Sequence, residues 1–404
     1  MDKFENHIKN ILHGFFLAIG TTIAEPSTIL PLIVNHFGGS SMLVGFFAAL
    51  LRGGAIVVQL FAAFHAQTYQ LMMPYLRRIF FIRFISWFLI GVAIILFGEN
   101  YPNLTLTSIG IGLFFFSFSA GFAAIYFREI MAKIFSHKFR GKTMAYRQFF
   151  SAIGGLISGA LAGWIIHTFE APLSYGLLFI ISSFIMGFGY LSFSIVDEPK
   201  KETVAKKEKS FKEFLHNSFK TLQADKALQT QVTTFLLAYG YLIALPFIIL
   251  HAQQRINLDG VAIGSLITTQ MVGAMLSNFL WGKLSSAGRN RLVAKIAISM
   301  QIIAILLASN SSSLYEYMLV FFIVGASIDG NRIASSNLIL KLAPAQKRPV
   351  YIALQMNIVS LGMFFSIIGG VILHYLNYEV LYSSAVITLL FALYFSFSLK
   401  ELST

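Results

Sequence analysis

The chain has 404 residues, 56% of them hydrophobic and only 12% charged, with a mean hydropathy of +0.73. Soluble domains carry roughly a quarter charged residues, so a water-solvated globular fold is excluded and lipid is the solvent this composition fits. The formal net charge of +13 needs a partner or a topology to explain it, and the absence of cysteine excludes disulfides and thiolate metal sites.

Crossing the hydrocarbon takes about 20 apolar residues. Runs of that kind predict helices at 10–36, 41–64, 79–98, 104–130, 144–168 and 174–196, then at 229–251, 260–282, 292–311, 313–340, 350–376 and 378–399. None alternates with the period of a barrel strand. The fold class expected is an all-α membrane protein with twelve transmembrane spans. The opening, Met1 to Lys9 followed by an apolar stretch, has the look of a secretory signal, but the apolar run continues past Pro26 and Pro31 to Phe37, so it is read as a retained first helix.

Charge orients these spans. With the amino terminus inside, every Lys and Arg of the 30 except Arg52, Arg255 and Arg332 falls in the terminal segments, the inner loops or the adjoining helix ends. The outer loops hold Glu99, Glu170, Asp259, Glu316 and Glu379 beside Arg255 alone. This asymmetry satisfies the positive-inside rule and places both termini in the cytoplasm, in a cell (inner) membrane. The positive charge is therefore topology, and no nucleic-acid partner is expected; the expected partners are the lipid bilayer and a small-molecule substrate, with the chain a monomer.

Between spans six and seven lies the longest polar stretch. It divides the chain into an N-terminal bundle, 1–196, a cytoplasmic linker, 197–228, and a C-terminal bundle, 229–404. Ser210 and Glu213 have capping-box spacing, and Phe211, Phe214, Leu215, Phe219 and Leu222 recur at helical period, which predicts a short amphipathic helix on the inner leaflet.

The halves repeat one another. Leu17-Ala18-Ile19-Gly20 with Ala24-Glu25-Pro26 returns as Leu237-Ala238-Tyr239-Gly240 with Ala244-Leu245-Pro246 at a constant offset of 220 residues. Gly45 and Gln59 are spaced as Gly264 and Asn278 are, and Arg140 with Gly154 as Arg348 with Gly362. Gly282-Lys283-Leu284-Ser285-Ser286-Ala287-Gly288-Arg289 follows span eight, while after span two only Arg77-Arg78 remains of a matching loop. With that loop and two parallel six-helix halves, the chain resembles the major facilitator superfamily of secondary transporters over its whole length. The resemblance implies two pseudo-symmetric six-helix bundles around a central cavity, lined in part by spans four and ten. Two departures are visible: a serine stands near the expected loop aspartate, and span five has no Gly-Pro pair of the kind many antiporters of the family carry. Gly155, Gly159 and Gly163 on span five, and Gly362, Gly369 and Gly370 on span eleven, are expected to let backbones pack closely.

Ionisable residues deep in apolar runs are the functional candidates. Glu25 replaces the repeat's Leu245 and is flanked by Thr21, Thr22 and Thr28, a polar stripe that suits water or substrate. Pro26, Pro31 and Pro246 remove backbone donors, so spans one and seven are expected to bend. Glu25 lies 11 residues from the outer end of span one and Arg52 lies 11 from that of span two, each about 16 Å deep at roughly 1.5 Å per residue. A carboxylate beside a guanidinium keeps its charge and one left alone in apolar surroundings takes up a proton, so Glu25 and Arg52 are the proton-coupling candidates; a static ion pair is the competing reading. Asp329 and Arg332, three apart on span ten, are substrate-site or gate candidates by the family resemblance, or an intrahelical pair. Gln59, seven residues from Arg52, with Gln270, Asn278, Gln355 and Asn357, add amides, and Tyr239 and Tyr241 add aromatic faces. Arg83, Arg128, Glu129 and Arg147 lie nearer helix ends, where snorkelling or gating fits.

No nucleophile elbow, zinc-protease motif or phosphate-cradling loop is present, so the chain is not expected to be an enzyme, and no cofactor is implied. The energy source expected is a proton gradient. Three functions stay open: a proton-coupled carrier of a small solute working by alternating access, an exporter of lipophilic compounds, and a transport-inactive receptor or scaffold. Arg52 and Arg332 hint at an anionic solute.

Overall fold

The computed structural model describes residues 3–23, 25, 27–66, 69–200, 220–344 and 348–400. Helix accounts for the regular structure throughout, and no strand occurs among the described residues. Lipid offers backbone groups no partners, so each span must close its own hydrogen bonds, and helices do this locally.

Among the described residues, ten helices are long and apolar enough to cross a membrane. The other two predicted spans are also helical. Span one is split into helices Lys3–Ile23 and Ile29–His36, and span two is the helix Ser41–Ala66, whose apolar part is Ser41–Ile56. Spans three to six are the helices Met73–Phe97, Pro102–Ile134, His137–Thr168 and Leu173–Ser194. Span seven is interrupted by a 3-10 turn at Tyr239–Ile243, between helices Lys226–Ala238 and Leu245–Arg255, with Pro246 in the first turn of the second. Spans eight to ten are Gly260–Ser286, Asn290–Asn310 and Leu314–Leu342. Span eleven changes from Arg348–Ser360 through a 3-10 turn, Leu361–Phe364, to Phe365–Tyr375, and span twelve is Tyr378–Ser396. The amphipathic helix expected around Ser210 and Glu213 lies outside the described residues.

Short polar side chains set the helix starts. Asp225 accepts from the Ala227 and Leu228 N–H groups, Asp259 from Ala262, and Asn377 from Val380, while Ser313 and Glu316 form a capping box at span ten. Each satisfies donors that a helix N-terminus leaves open.

Packing divides the chain into two compact units. The first comprises Met1–Gly39, Leu50–Lys209 and Leu258–Thr268, and the second Ser40–Ala49, Ser210–Asn257 and Thr269–Thr404. In the first, Trp87 is buried against Phe116 and Phe179 and donates to the Ser182 hydroxyl at 2.8 Å. The span-five glycines meet a second set there: a Cβ on Gly163 would lie 2.8 Å from Gly260 O, and one on Gly264 would lie 2.8 Å from Gly159 O. Backbone touches backbone, as small-residue helix packing in lipid requires. In the second unit, Leu228, Val232, Phe235, Trp281, Val293 and Leu338 build a core, and the Trp281 indole donates to Ala326 O at 3.0 Å. Gly370 there faces Ser41 O, 2.6 Å from where its Cβ would be.

The loop after span eight turns at Gly288, whose φ of 77° favours glycine. Ser285, at the position near the family aspartate, donates to Asn290 Oδ1 at 2.8 Å and accepts from Asn337 of span ten at 2.7 Å. A neutral network thus ties span ten to this loop. The first unit uses charge instead, at a place the loop signature did not indicate. Glu198, beyond span six, accepts from the Met72 and Met73 N–H groups at 2.9 and 2.7 Å and pairs with Lys133 of span four. Its carboxylate caps the positive end of span three while neutralising the lysine.

Candidate functional site

Span one breaks where Glu25 sits. Its backbone N–H donates to Thr22 O at 3.2 Å, and its carbonyl accepts from Thr28 and Leu30 at 3.2 and 3.4 Å. This irregular backbone frees the residue from helical geometry. The Glu25 side chain, 17% exposed, takes two donors on one oxygen: Arg52 Nη2 at 2.7 Å and the Ser27 hydroxyl at 2.9 Å. Arg52 is 20% exposed. A charge-assisted bond of this length is among the strong ones, and it joins two different helices.

The neighbouring candidates are placed less directly. Thr21 gives its hydroxyl to Leu17 O at 2.8 Å, one turn back, so its polarity is absorbed by its own helix. Thr22 is half-buried and contributes its carbonyl to the Glu25 junction, whereas Thr28 is fully buried with its hydroxyl unpaired. Gln59 is half-buried on the same helix as Arg52.

Asp329 and Arg332 also meet, at 2.9 Å, but as an i,i+3 pair on one helix. Asn278 of span eight donates to the other Asp329 oxygen at 2.8 Å. The carboxylate is 14% exposed and the guanidinium 58%. Arg332 and Tyr239 line a cavity of about 300 Å³ within the second unit, together with Tyr241, Gln355, Ser335 and Ser336. Gln270 is not part of that lining: it is 4% exposed, with Oε1 unpaired.

Several polar residues that matter most to the interior were not singled out by the sequence. Gln301 of span nine and Asn331 of span ten line the same cavity, and in each both amide atoms are buried and unpartnered. An orphaned buried polar group costs about 1–3 kcal/mol, so four of them on two residues that line one cavity are a functional signal. Gln355, by contrast, is satisfied, accepting from Gln231 at 2.5 Å and donating to Ser335 Oγ at 2.7 Å.

In the first unit, Asn6, Asn10 and His13 form a buried stripe at helical spacing on span one. Arg147 donates to Asn10 O at 3.1 Å and contacts His13 Nδ1 at 2.6 Å. Arginine only donates, so Nδ1 is the acceptor and the imidazole proton sits on Nε2, which is buried without a partner. Arg83 does not snorkel. It is 7% exposed, donates to Tyr190 Oη at 2.9 Å and Phe116 O at 2.8 Å, and lies 3.9 Å over the Phe116 ring. Two acceptors and an aromatic face hold the guanidinium inside, which a reading by distance from the helix end does not anticipate.

Comparison with known proteins agrees with this architecture. The family model for the Major Facilitator Superfamily matches residues 11–229 and 231–403. The chain belongs to that superfamily. It is a multi-pass membrane transporter of the secondary class, and not an enzyme. No curated protein sequence matches it. Among solved structures, the nucleoside transporter NupG superposes with a TM-score of 0.77 at 10% identity, over 98% of this chain and 99% of that one. A bacterial homologue of the iron transporter ferroportin, in an inward-facing state, gives 0.73 at 11% identity over 99% of both chains. A bacterial homologue of the human lysosomal transporter Spinster gives 0.67 at 14% over 98% and 96%. At these identities the likeness is one of fold.

Proposed function

We propose that the chain moves a small solute across a cell inner membrane by alternating access, with both termini cytoplasmic, and couples that movement to protons through Glu25 and Arg52. The observation that carries this reading is the 2.7 Å contact between a carboxylate at the break of span one and a guanidinium on span two. An ion pair bridging two helices is opened by relative movement of those helices. Once apart from Arg52 and in apolar surroundings, a carboxylate is cheaper to keep protonated than charged, so opening the pair takes up a proton and closing it releases one.

One charge moving down 100 mV supplies about 2.3 kcal/mol, enough for a concentration ratio of tens. Break and pair coincide at Glu25, so a backbone bend at that junction would change the distance to Arg52 directly. The test is uptake into proteoliposomes of a solute found by thermal-shift screening, with and without an imposed pH gradient. Accumulation should follow the gradient in the wild-type chain, and accumulation indifferent to it would remove the coupling.

A further inference from the structure

The cavity of about 300 Å³ in the second unit has a mixed lining. Gln301, 1% exposed, and Asn331 belong to it, and in each the buried carboxamide has donor and acceptor both unpaired, although neither would be left so in an ordinary core. Phe235, Ile328, Met356 and Val359 supply apolar surface to the same lining.

Charge at the cavity is already accounted for. Arg332 is the one ionisable group of its lining apart from the two tyrosines, and Asp329 neutralises it at 2.9 Å while Asn278 holds the second carboxylate oxygen. A carboxylate or phosphate entering here would compete with Asp329 for that guanidinium, and its charge would meet only neutral amides at the buried end. An ammonium group would meet an arginine. The anionic solute suggested by Arg52 and Arg332 in the sequence therefore loses its support, since each arginine is held by its own acid.

We infer that this cavity binds an uncharged solute that carries hydrogen-bond donors and acceptors on one edge beside apolar surface, with Gln301 and Asn331 as the residues that recognise the edge. Carboxamides read such an edge from both sides, because each offers one donor pair and one acceptor. Tyr239 and Tyr241, with ring centres 6.1 Å apart and tilted by 30°, add flat faces beside it. Two families of small molecule have this chemistry, heterocyclic amides such as nucleosides and polyols such as monosaccharides. Discrimination follows from the amides, since a site built around buried hydrogen-bonding groups rejects molecules that leave them unpaired.

The inference rests on the chain being a solute carrier but not on proton coupling. Equilibrium binding to the purified full-length protein separates the two, because it needs neither a gradient nor turnover. Calorimetry with uridine, D-glucose, succinate and choline should give a Kd for uridine or glucose only. Gln301→Leu, which keeps the volume and removes both polar atoms, should weaken that binding about tenfold or more, as should Asn331→Leu. Ser336 is an exposed member of the lining, so Ser336→Trp fills the cavity from the outside and should abolish binding even if either core variant fails to fold. Binding of uridine identifies the heterocyclic class and binding of glucose the polyol class. Binding of only the charged probes, of none of the four, or of a neutral probe with unchanged affinity in Gln301→Leu and Ser336→Trp would overturn the assignment.

Discussion

The Glu25–Arg52 and Asp329–Arg332 ion pairs differ in what can break them. Glu25 and Arg52 belong to different helices, 27 residues apart, and both are about four-fifths buried. Asp329 and Arg332 are neighbours on one face of span ten, and the arginine is 58% exposed. A pair carried on one rigid helix travels with it and stays closed, whereas a pair strung between helices reports every change in their separation. Position in the fold, and not the chemistry of the groups, makes the first a candidate coupling device and the second an anchor.

The sharpest way to break this contrast is to remove one member of each pair. Arg52→Leu leaves the Glu25 carboxylate with Ser27 alone. Stripping a partner from a mostly buried pair costs of order 1–3 kcal/mol even after discounting for partial exposure. It should lower the melting temperature measurably and abolish gradient-dependent accumulation. Restoring charge in reverse, Glu25→Arg with Arg52→Glu, should recover most of the melting temperature without recovering accumulation, because the carboxylate then sits on a continuous helix instead of at the break.

Asp329→Asn should behave quite differently. It removes an i,i+3 pair worth roughly 0.2–0.5 kcal/mol, and the new amide still accepts from Asn278. Melting should barely change, and the accumulation ratio should stay at the wild-type value while half-saturation for solute shifts, since Arg332 lines the cavity. A collapse of the accumulation ratio in this variant would erase the distinction between the pairs.

Much of this was legible in the residue pattern. Twelve apolar runs mark twelve spans, and the expected bends of spans one and seven are found as a break after Ile23 and a 3-10 turn before Pro246. Equal depth in adjacent runs was enough to bring Glu25 and Arg52 to one level. The sequence is silent where packing chooses the face. Spans three, eight and ten have no pronounced apolar stripe, so the pattern does not tell which side of a helix meets protein and which meets lipid. Gln301 looks like a single amide in a run of aliphatics, and only the neighbouring helices turn it into the wall of a cavity. The stripe of Asn6, Asn10 and His13 was missed although its helical spacing is in the sequence, and its partner Arg147, more than 130 residues away, has no local signal at all. Glu198 escaped for a similar reason: a capping carboxylate 126 residues from the N–H group it binds carries no local signature.

The smallest expected effect on transport lies away from both pairs and controls for general destabilisation. Asp225 caps span seven and accepts the Tyr351 hydroxyl at 2.7 Å. Burial pushes its carboxyl upward, but the Tyr351 hydroxyl and the Leu228 and Ala227 N–H groups outweigh this and hold it below its ordinary 3.8. A carboxyl so depressed stabilises the fold above that range and loses the contribution as pH falls through its folded value. Asp225→Ala should cost about 1 kcal/mol near neutrality, with the gap from wild type closing in acid, and should leave accumulation unaltered.

The most direct measurement is solute accumulation by Glu25→Gln in proteoliposomes under an imposed pH gradient, run beside solute exchange without one. Glutamine keeps the shape and a hydrogen bond to Arg52 but can neither take up nor release the proton, so exchange should persist while accumulation falls to the level set by equilibration. Accumulation equal to that of the wild-type chain, under the same gradient, would contradict the account.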